Sequence, residues 1–236
     1  MTSFVDYFKT LQQGGAPGFI HSCPELIRLV GQVGFLPLLD SGIRGFAAES
    51  LMAEECRFTT FDDGTWEWPL WQWKGSVVRD GGCVYGKFFG GKAGFISREW
   101  WPDFCNWRRS THAVPEEGSV DDIILTTLRE HGSMITRELR AACDFTGKNM
   151  RSRFDARVAR LQMATYVVTE DFVYPTDKHG HEYGFGWALL TTPERLVGRE
   201  ACLCHRTPQE SRERIMAHLT ALLPQTDERL IAKMVG

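Results

Sequence analysis

The sequence of 236 residues contains no run of about 18 consecutive apolar residues, so it predicts no membrane-spanning helix. Its first residues lack a basic segment followed by an apolar one, so we expect no secretory signal peptide. The seven cysteines are an odd number and lie scattered along the chain. That pattern is typical of reduced thiols in a cytoplasmic protein rather than of a disulfide framework. The hydrophobic residues, 43% of the chain, are enough to bury one or two cores.

The chain also lacks the spacings of common metal and phosphate sites. Its close cysteine cluster, Cys202-Leu203-Cys204-His205, does not have zinc-site spacing, and no second pair lies near it in the sequence. The glycine pairs at 14–15, 81–82 and 90–91 are not followed by the Lys-Ser or Lys-Thr of a phosphate-binding loop. The sequence therefore predicts no bound metal and no cofactor.

Residues 120–192 predict three short helices followed by a long β-hairpin, which is the element order of a winged helix. The first helix runs from Val120 to His131 before Gly132, and Thr136 is the expected N-cap of the second. The hairpin is expected to turn at residues 177–180 and to return from Tyr183 to Leu190. The third helix has an apolar face made of Phe154, Val158 and Leu161.

The third predicted helix is strongly basic, although the whole chain carries a net charge of −3. Residues 137–160 contain seven Lys or Arg and three acidic residues, a net of +4. A positive patch on an acidic chain favours a polyanion partner. In winged-helix proteins the third helix enters the major groove and the hairpin contacts the backbone.

We therefore predict phosphate contacts to double-stranded DNA rather than base-specific readout, since the helix lacks a run of Asn and Gln. The alternatives are a solvated basic face and a winged helix that binds protein. The residues that we expect to contact DNA are Lys148 in the turn before the helix, Arg151, Arg153, Arg157 and Arg160 on the helix, and Lys178 and His179 on the hairpin, which also carries His181.

The N-terminal half predicts an α+β domain with a helix from Pro24 to Val33 and a β-hairpin around Gly90-Gly91. Between them, residues 66–74 contain four tryptophans. These fill a small core or, alternatively, form a surface on which bases stack, with Trp71 and Trp73 as the candidate stacking residues. At the end of this half, Arg108 and Arg109 are further candidates for phosphate contact or simply exposed interdomain charge.

The predicted fold class is α+β, with two tandem winged-helix-like domains. We expect an N-terminal domain over residues 1–115, a winged-helix domain over 118–197 and a C-terminal helical extension over 198–236. Residues 112–118, with Pro115 and Gly118, are the expected linker.

Several short strings of this sequence resemble the AlkZ-like (YcaQ-like) winged-helix DNA glycosylases, and most closely the AlkZ-related branch of that group. They are Phe35-Leu36-Pro37-Leu38, Tyr85-Gly86-Lys87-Phe88-Phe89, Lys92-Ala93-Gly94-Phe95, Arg98-Glu99-Trp100 and Arg160-Leu161-Gln162. The resemblance to the AlkZ-related branch covers most of the chain. It implies stacked winged helices and a relation to enzymes that cut the N-glycosidic bond of alkylated purines.

Glycosylases of this group need a Gln-x-Gln or Gln-x-Asp motif that positions and activates water. An ungapped placement puts this motif on Cys23-Pro24-Glu25, so Glu25 is the candidate catalytic base, while Cys23 cannot replace the missing amide. A His-x-Ala element of the family falls near Trp73-Lys74-Gly75, where the histidine is absent.

The resemblance thus implies a DNA-binding relative with an incomplete catalytic motif. The alternatives are an active alkylpurine glycosylase that uses Glu25, a winged-helix transcription regulator, and an interaction module that binds no nucleic acid.

Overall fold

The computed structural model of the protein describes residues 4–13, 18–180, 182 and 184–236. The fold is of the α+β class. Its helices are α1 (Phe4–Gln12), α2 (Cys23–Val33), α3 (Ala48–Leu51), α4 (Pro69–Gly81), α5 (Trp101–Thr111), α6 (Val120–His131), α7 (Thr136–Ala142), α8 (Met150–Met163), α9 (Pro193–Leu196), α10 (Pro208–Leu222) and α11 (Glu228–Val235). Its strands are β1 (Phe35–Pro37), β2 (Thr59–Thr60), β3 (Trp66–Glu67), β4 (Cys83–Phe89), β5 (Lys92–Ser97), β6 (Met134–Ile135), β7 (Val168–Val173) and β8 (Trp187–Thr191).

Six of these strands form one sheet in the order β1-β5-β4-β7-β8-β6, in which every pair is antiparallel. The strands β1, β5 and β4 come from the N-terminal half, and β7, β8 and β6 come from residues 134–191. A single register pair, Tyr85 with Thr169, joins the two halves of the sheet. The strands β2 and β3 make a separate small hairpin.

Two apolar cores lie on either side of this junction. The smaller core is built within residues 120–190 from α6, α7, α8 and the hairpin strands, and includes Ile124, Leu139 and Phe154. The larger core holds the N-terminal half together with Ile215 and Ile231 of α10 and α11. The C-terminal helices therefore pack against the N-terminal half.

The first helix of the 120–191 unit begins and ends as its sequence predicts. The Ser119 side chain accepts a hydrogen bond from the Asp122 amide, and Gly132 ends α6 with φ of +82°. The prediction that Thr136 caps α7 is wrong. Ile135 occupies the N-cap position, and the Thr136 hydroxyl instead donates to the carbonyl oxygen of Ala188 on β8.

The return strand of the hairpin begins later than predicted, at Trp187 rather than at Tyr183, which itself lies outside the described residues. Gly184 and Gly186 have positive φ values of 77° and 71°, which interrupt the extended conformation before β8. Among the described residues, no helix is long and apolar enough to span a membrane.

Candidate nucleic-acid interface

Helix α8 turns an apolar face inward and a basic face outward. Its residues Phe154, Val158 and Leu161 are buried in the smaller core, as their spacing predicts. All five of its candidate DNA contacts are exposed: Lys148 just before the helix, and Arg151, Arg153, Arg157 and Arg160 within it. The predicted basic side of α8 is therefore present on the surface.

Acidic neighbours neutralise part of this surface. Arg157 Nη1 lies 3.5 Å from Oδ1 of Asp121, and Arg160 hydrogen-bonds the other carboxylate oxygen of the same residue. Arg151 Nε lies 3.8 Å from Oδ2 of Asp155. Asp121 thus faces two arginines with one charge, so a positive charge remains there. Elsewhere in the part of the chain that the structure describes, Lys148 and Arg153 have no acidic partner.

The hairpin presents the remaining predicted contacts near its turn. Lys178 and His179 are both exposed. The Asp177 carboxylate accepts a hydrogen bond of 2.8 Å from the His179 amide, and its carbonyl accepts one from the Gly180 amide. These two bonds hold the turn that carries the basic pair. His181 lies outside the described residues.

Hydrogen bonds attach the hairpin to α4 in the N-terminal half. The Trp71 indole Nε1 donates to the carbonyl oxygen of Phe185 over 2.8 Å. The Lys74 amine donates to the Tyr174 hydroxyl over 2.7 Å and to the Trp71 carbonyl over 2.9 Å. These contacts fix the hairpin relative to the N-terminal core.

Lys74 is fully buried, which is rare for a lysine. Its Nζ lies 3.8 Å from the centre of the Phe172 ring and 4.2 Å from that of Trp71. Burial lowers the pKa of the amine to about 7, and the Asp171 carboxylate opposes this shift. Helical spacing indicates the burial of this residue, because Lys74 lies four residues after Leu70 and four before Val78 on the apolar face of α4.

An aromatic groove of about 460 Å³ lies beside these contacts. We use this name for the groove lined by Trp66, Trp71 and Tyr174, with the polar side chains Gln72 and Glu182. Trp71 stacks on Trp68 with ring centres 5.0 Å apart and planes 20° apart. Exposed Phe58 and Phe185 extend the aromatic surface, since each packs against Trp66. Contiguous exposed apolar surfaces are typical of binding regions.

The two predicted stacking residues have different positions. Trp71 and Trp73 are both half-buried and pack against the larger core, but of the two only Trp71 also lines the aromatic groove. The tryptophan-rich segment therefore packs against the larger core, and Trp66 and Trp71 also line the groove.

The two arginines at the end of α5 are engaged inside the protein. Arg108 is 4% exposed and donates to the carbonyl oxygens of Met163 and Val235. Arg109 donates to the Thr165 carbonyl and pairs with Glu194 at 2.8 Å. Both tie distant segments together, and both lie on α5 rather than on the basic side of α8.

Glu25 lies in the first turn of α2, where its carboxylate accepts a 2.7 Å hydrogen bond from the His21 amide. Arg28 Nη2 lies 3.8 Å from the carboxylate. The amide hydrogen bond, followed by the charges of His21 and Arg28, lowers the pKa of Glu25. A lowered pKa makes the carboxylate a weaker base, which does not suit a group that must take a proton from water.

The contacts of Glu25 are with residues 21–28, and those of Arg157 are with α6, so the structure does not bring the candidate base and the arginines of α8 into contact. Within the described ranges, no three His, Cys, Asp or Glu side chains are grouped so that they could hold a metal ion.

Three comparisons with known proteins bear on the resemblance that the sequence suggests. No curated protein and no solved structure matches the chain. The family model described as AlkZ related matches residues 20–236, a range that includes α2, the aromatic groove, α8 and the hairpin. This match confirms the predicted resemblance, and it relates the protein to DNA repair glycosylases. The chain therefore belongs to the AlkZ-related family.

Proposed function

We propose that the protein binds double-stranded DNA through a winged helix formed by residues 120–191. The observation that carries the proposal is helix α8, which packs its apolar face on α6 and α7 and exposes four arginines, with exposed Lys148 just before it. After α8, the chain forms the hairpin of β7 and β8, and β8 also pairs with β6. The hairpin turn exposes Lys178 and His179. Membership in a family related to DNA repair glycosylases supports DNA as the polyanion.

The expected contacts are with phosphates. Each phosphate neutralised by a lysine or arginine releases bound counterions, so the affinity falls with salt by about 0.9 in log–log slope for every contact. Lys148 and Arg153 have no acidic partner among the described residues, so each should contribute its full charge to phosphate binding. Asp121 holds Arg157 and Arg160 in fixed positions, and those two arginines keep one unneutralised charge.

The test is fluorescence anisotropy of a labelled duplex between roughly 50 and 200 mM salt. The wild type should bind at micromolar concentration or tighter at low salt, and Lys148→Ala with Arg153→Ala should lower the salt slope by about 1.8. Arg229→Ala is the matched control, because this exposed arginine lies on α11 and belongs neither to α8 nor to the hairpin. Absence of wild-type binding at the lowest salt would refute the proposal.

We further propose that the aromatic groove takes an unpaired base of the bound DNA. Exposed Trp66 offers an aromatic surface for stacking, which contributes about 1–3 kcal/mol for each base, and Gln72 offers hydrogen bonds to a base edge. Trp66→Ala is the preferred variant, because Trp71 also anchors the hairpin. It should weaken binding to a duplex with an unpaired base and leave binding to a fully paired duplex unchanged. Equal effects on both duplexes would contradict this role.

Binding, rather than glycosidic bond hydrolysis, is the activity that the site supports. The Gln of the catalytic motif is absent at Cys23, and Glu25 is a weakened base on a helix terminus. The measurement is release of free 7-methylguanine or 3-methyladenine from alkylated DNA. We expect none at micromolar protein. Release that Glu25→Gln abolishes would establish the glycosylase alternative, and one tight genomic site would favour a transcription regulator.

A further inference from the structure

A second concentration of arginines lies at the end of α6 opposite to Asp121. Arg129 of α6, Arg195 of α9 and Arg199 of the following loop line a cleft of about 800 Å³, which we name the arginine cleft. Arg109, Glu194 and Cys202 also contribute to its wall. The cleft shares none of its lining residues with α8 or with the hairpin turn.

The charges in the arginine cleft are poorly balanced. Its single acidic lining residue, Glu194, is already paired with Arg109. Arg129, Arg195 and Arg199 are exposed, and among the described residues none of the three has an ion pair or a side-chain hydrogen bond. Three positive charges therefore face one cleft without a counter-charge. Such a group attracts an anion, because like charges held together raise the local positive potential.

The backbone at the end of α6 accommodates one of these arginines. Gly132 has φ of +82° and ψ of −152°, a conformation that other residues rarely adopt. A Cβ added there would lie 3.1 Å from Nη2 and 3.2 Å from Cζ of Arg195. The absent side chain thus leaves room for the guanidinium to lie against the chain at position 132. Packing of this kind reduces the freedom that Arg195 would lose on binding.

The side chains in the cleft suit phosphate in particular. The guanidinium group presents a planar fork of donors that matches two phosphate oxygens at once, and no lysine lines the cleft. A further donor, Nε of Arg109, is buried and has no hydrogen-bond partner. The cleft is open to the surface at exposed Leu203, so a ligand can enter from solvent.

The position along α6 favours a phosphate that belongs to a nucleic acid. Arg129 follows Asp121, the partner of Arg157 and Arg160, by eight residues, which is roughly 12 Å along a helix. A duplex carries one backbone charge for roughly each 1.7 Å of its axis. One nucleic acid is therefore long enough to reach both the arginines of α8 and the arginine cleft.

We propose that the arginine cleft binds phosphate groups of a nucleic-acid backbone, as a contact separate from α8. The source of the phosphate rests on the proposed DNA binding, whereas the phosphate chemistry of the cleft does not. A free phosphate ester is the other source of the same chemical group, and the experiment separates the two.

The test uses two double variants. The cleft variant combines Arg195→Ala and Arg199→Ala, and the α8 variant combines Lys148→Ala and Arg153→Ala. Arg229→Ala is the control. In duplex binding measured against salt, the cleft variant should lower the slope by about 1.8, and combination with the α8 variant should lower it by about twice as much. Circular dichroism and the thermal midpoint without ligand check that each variant folds. Arg199→Ala alone, in the exposed loop, should lower the slope by about 0.9 and repeats the test without touching the contact at Gly132.

Each outcome decides the proposal. An unchanged slope in the cleft variants, with a lower slope in the α8 variant, overturns the cleft and leaves the proposed function standing. If the wild type binds no duplex, the proposed function fails and so does the nucleic-acid source. The thermal midpoint is then measured with inorganic phosphate and with pyrophosphate. A rise that the cleft double variant loses assigns the cleft to free phosphate esters, and no rise overturns phosphate binding altogether.

Discussion

Replacing Lys74 with methionine should change how the stability of the protein depends on pH. In the folded chain the amine is fully buried against Trp71, Phe172 and Tyr174, and its pKa is about 7 instead of the ordinary 10.5. Between these two values the unfolded chain binds a proton that the folded chain does not. The free energy of unfolding therefore rises with pH in this window.

The size of the effect follows from the two pKa values. The unfolded chain holds the Lys74 proton more tightly than the folded chain, so this proton favours the unfolded state. The resulting loss of stability is largest below pH 7 and disappears above pH 10.5. From pH 7 to pH 9 the wild type should gain about 2 kcal/mol from this one group. The Lys74→Met variant has no titrating amine at this position and does not gain this stability. The difference in unfolding free energy between wild type and variant should therefore shift by about 2 kcal/mol in favour of the wild type from pH 7 to pH 9.

The measurement is urea unfolding of both proteins at pH 7, 8 and 9, followed by circular dichroism. The absolute stability of the variant is not the readout, since methionine also loses the hydrogen bonds to Tyr174 and Trp71. Lys87→Met, at an exposed position on β4, measures what the loss of a surface lysine does. A wild-type and a Lys74→Met curve that stay parallel between pH 7 and pH 9 would refute the reasoning.

Three further predictions concern Asp103, Gly132 and Cys202. Asp103→Asn should destabilise the protein by about 3 kcal/mol in urea unfolding, because this buried carboxylate pairs with Arg206 and Arg214 and accepts a hydrogen bond from Ser211; a loss below 0.5 kcal/mol would show that the pairs contribute little. Gly132→Ala should cost about 1–3 kcal/mol, because of its φ of +82°, and should weaken binding in the arginine cleft; an unchanged urea midpoint would contradict this. Cys202, whose pKa a hydrogen bond from Cys105 lowers to about 7, should be alkylated by iodoacetamide with a rate that is half-maximal near pH 7; a midpoint near pH 9 would exclude the shift.

The helices of residues 120–163 could be predicted because their signals are local. Gly132 ends α6, and the spacing of Phe154, Val158 and Leu161 marks the inner face of α8. The N-cap of α7 could not be predicted, because a contact from Thr136 to the distant strand β8 decides it. The start of β8 was missed for the conformational reason that two glycines with positive φ precede it.

The site was less predictable than the elements, since its side chains meet through tertiary contacts. The basic side of α8 follows from helical spacing, and its exposure was predicted correctly. The burial of Arg108 depends on carbonyl groups at positions 163 and 235, far away in the sequence. The arginine cleft joins residues 129, 195 and 199, which no short motif connects. Sequence patterns therefore located the helix that exposes charge but not the places where charges converge.

The attachment of the hairpin to α4 determines what kind of DNA the two proposed surfaces can contact together. One register pair joins the halves of the sheet, and the hydrogen bonds of Trp71 and Lys74 and the ion pair of Arg79 with Asp171 add to this connection. They hold the aromatic groove at a fixed place beside the hairpin. A fully paired duplex keeps its bases inside the stack and offers only phosphates to such a surface, whereas an unpaired base can leave the stack at smaller cost. If the aromatic groove and α8 contact one DNA molecule, the wild type should prefer a duplex with an unpaired base to a fully paired one. Trp66→Ala must then abolish this preference, while the salt dependence set by α8 remains.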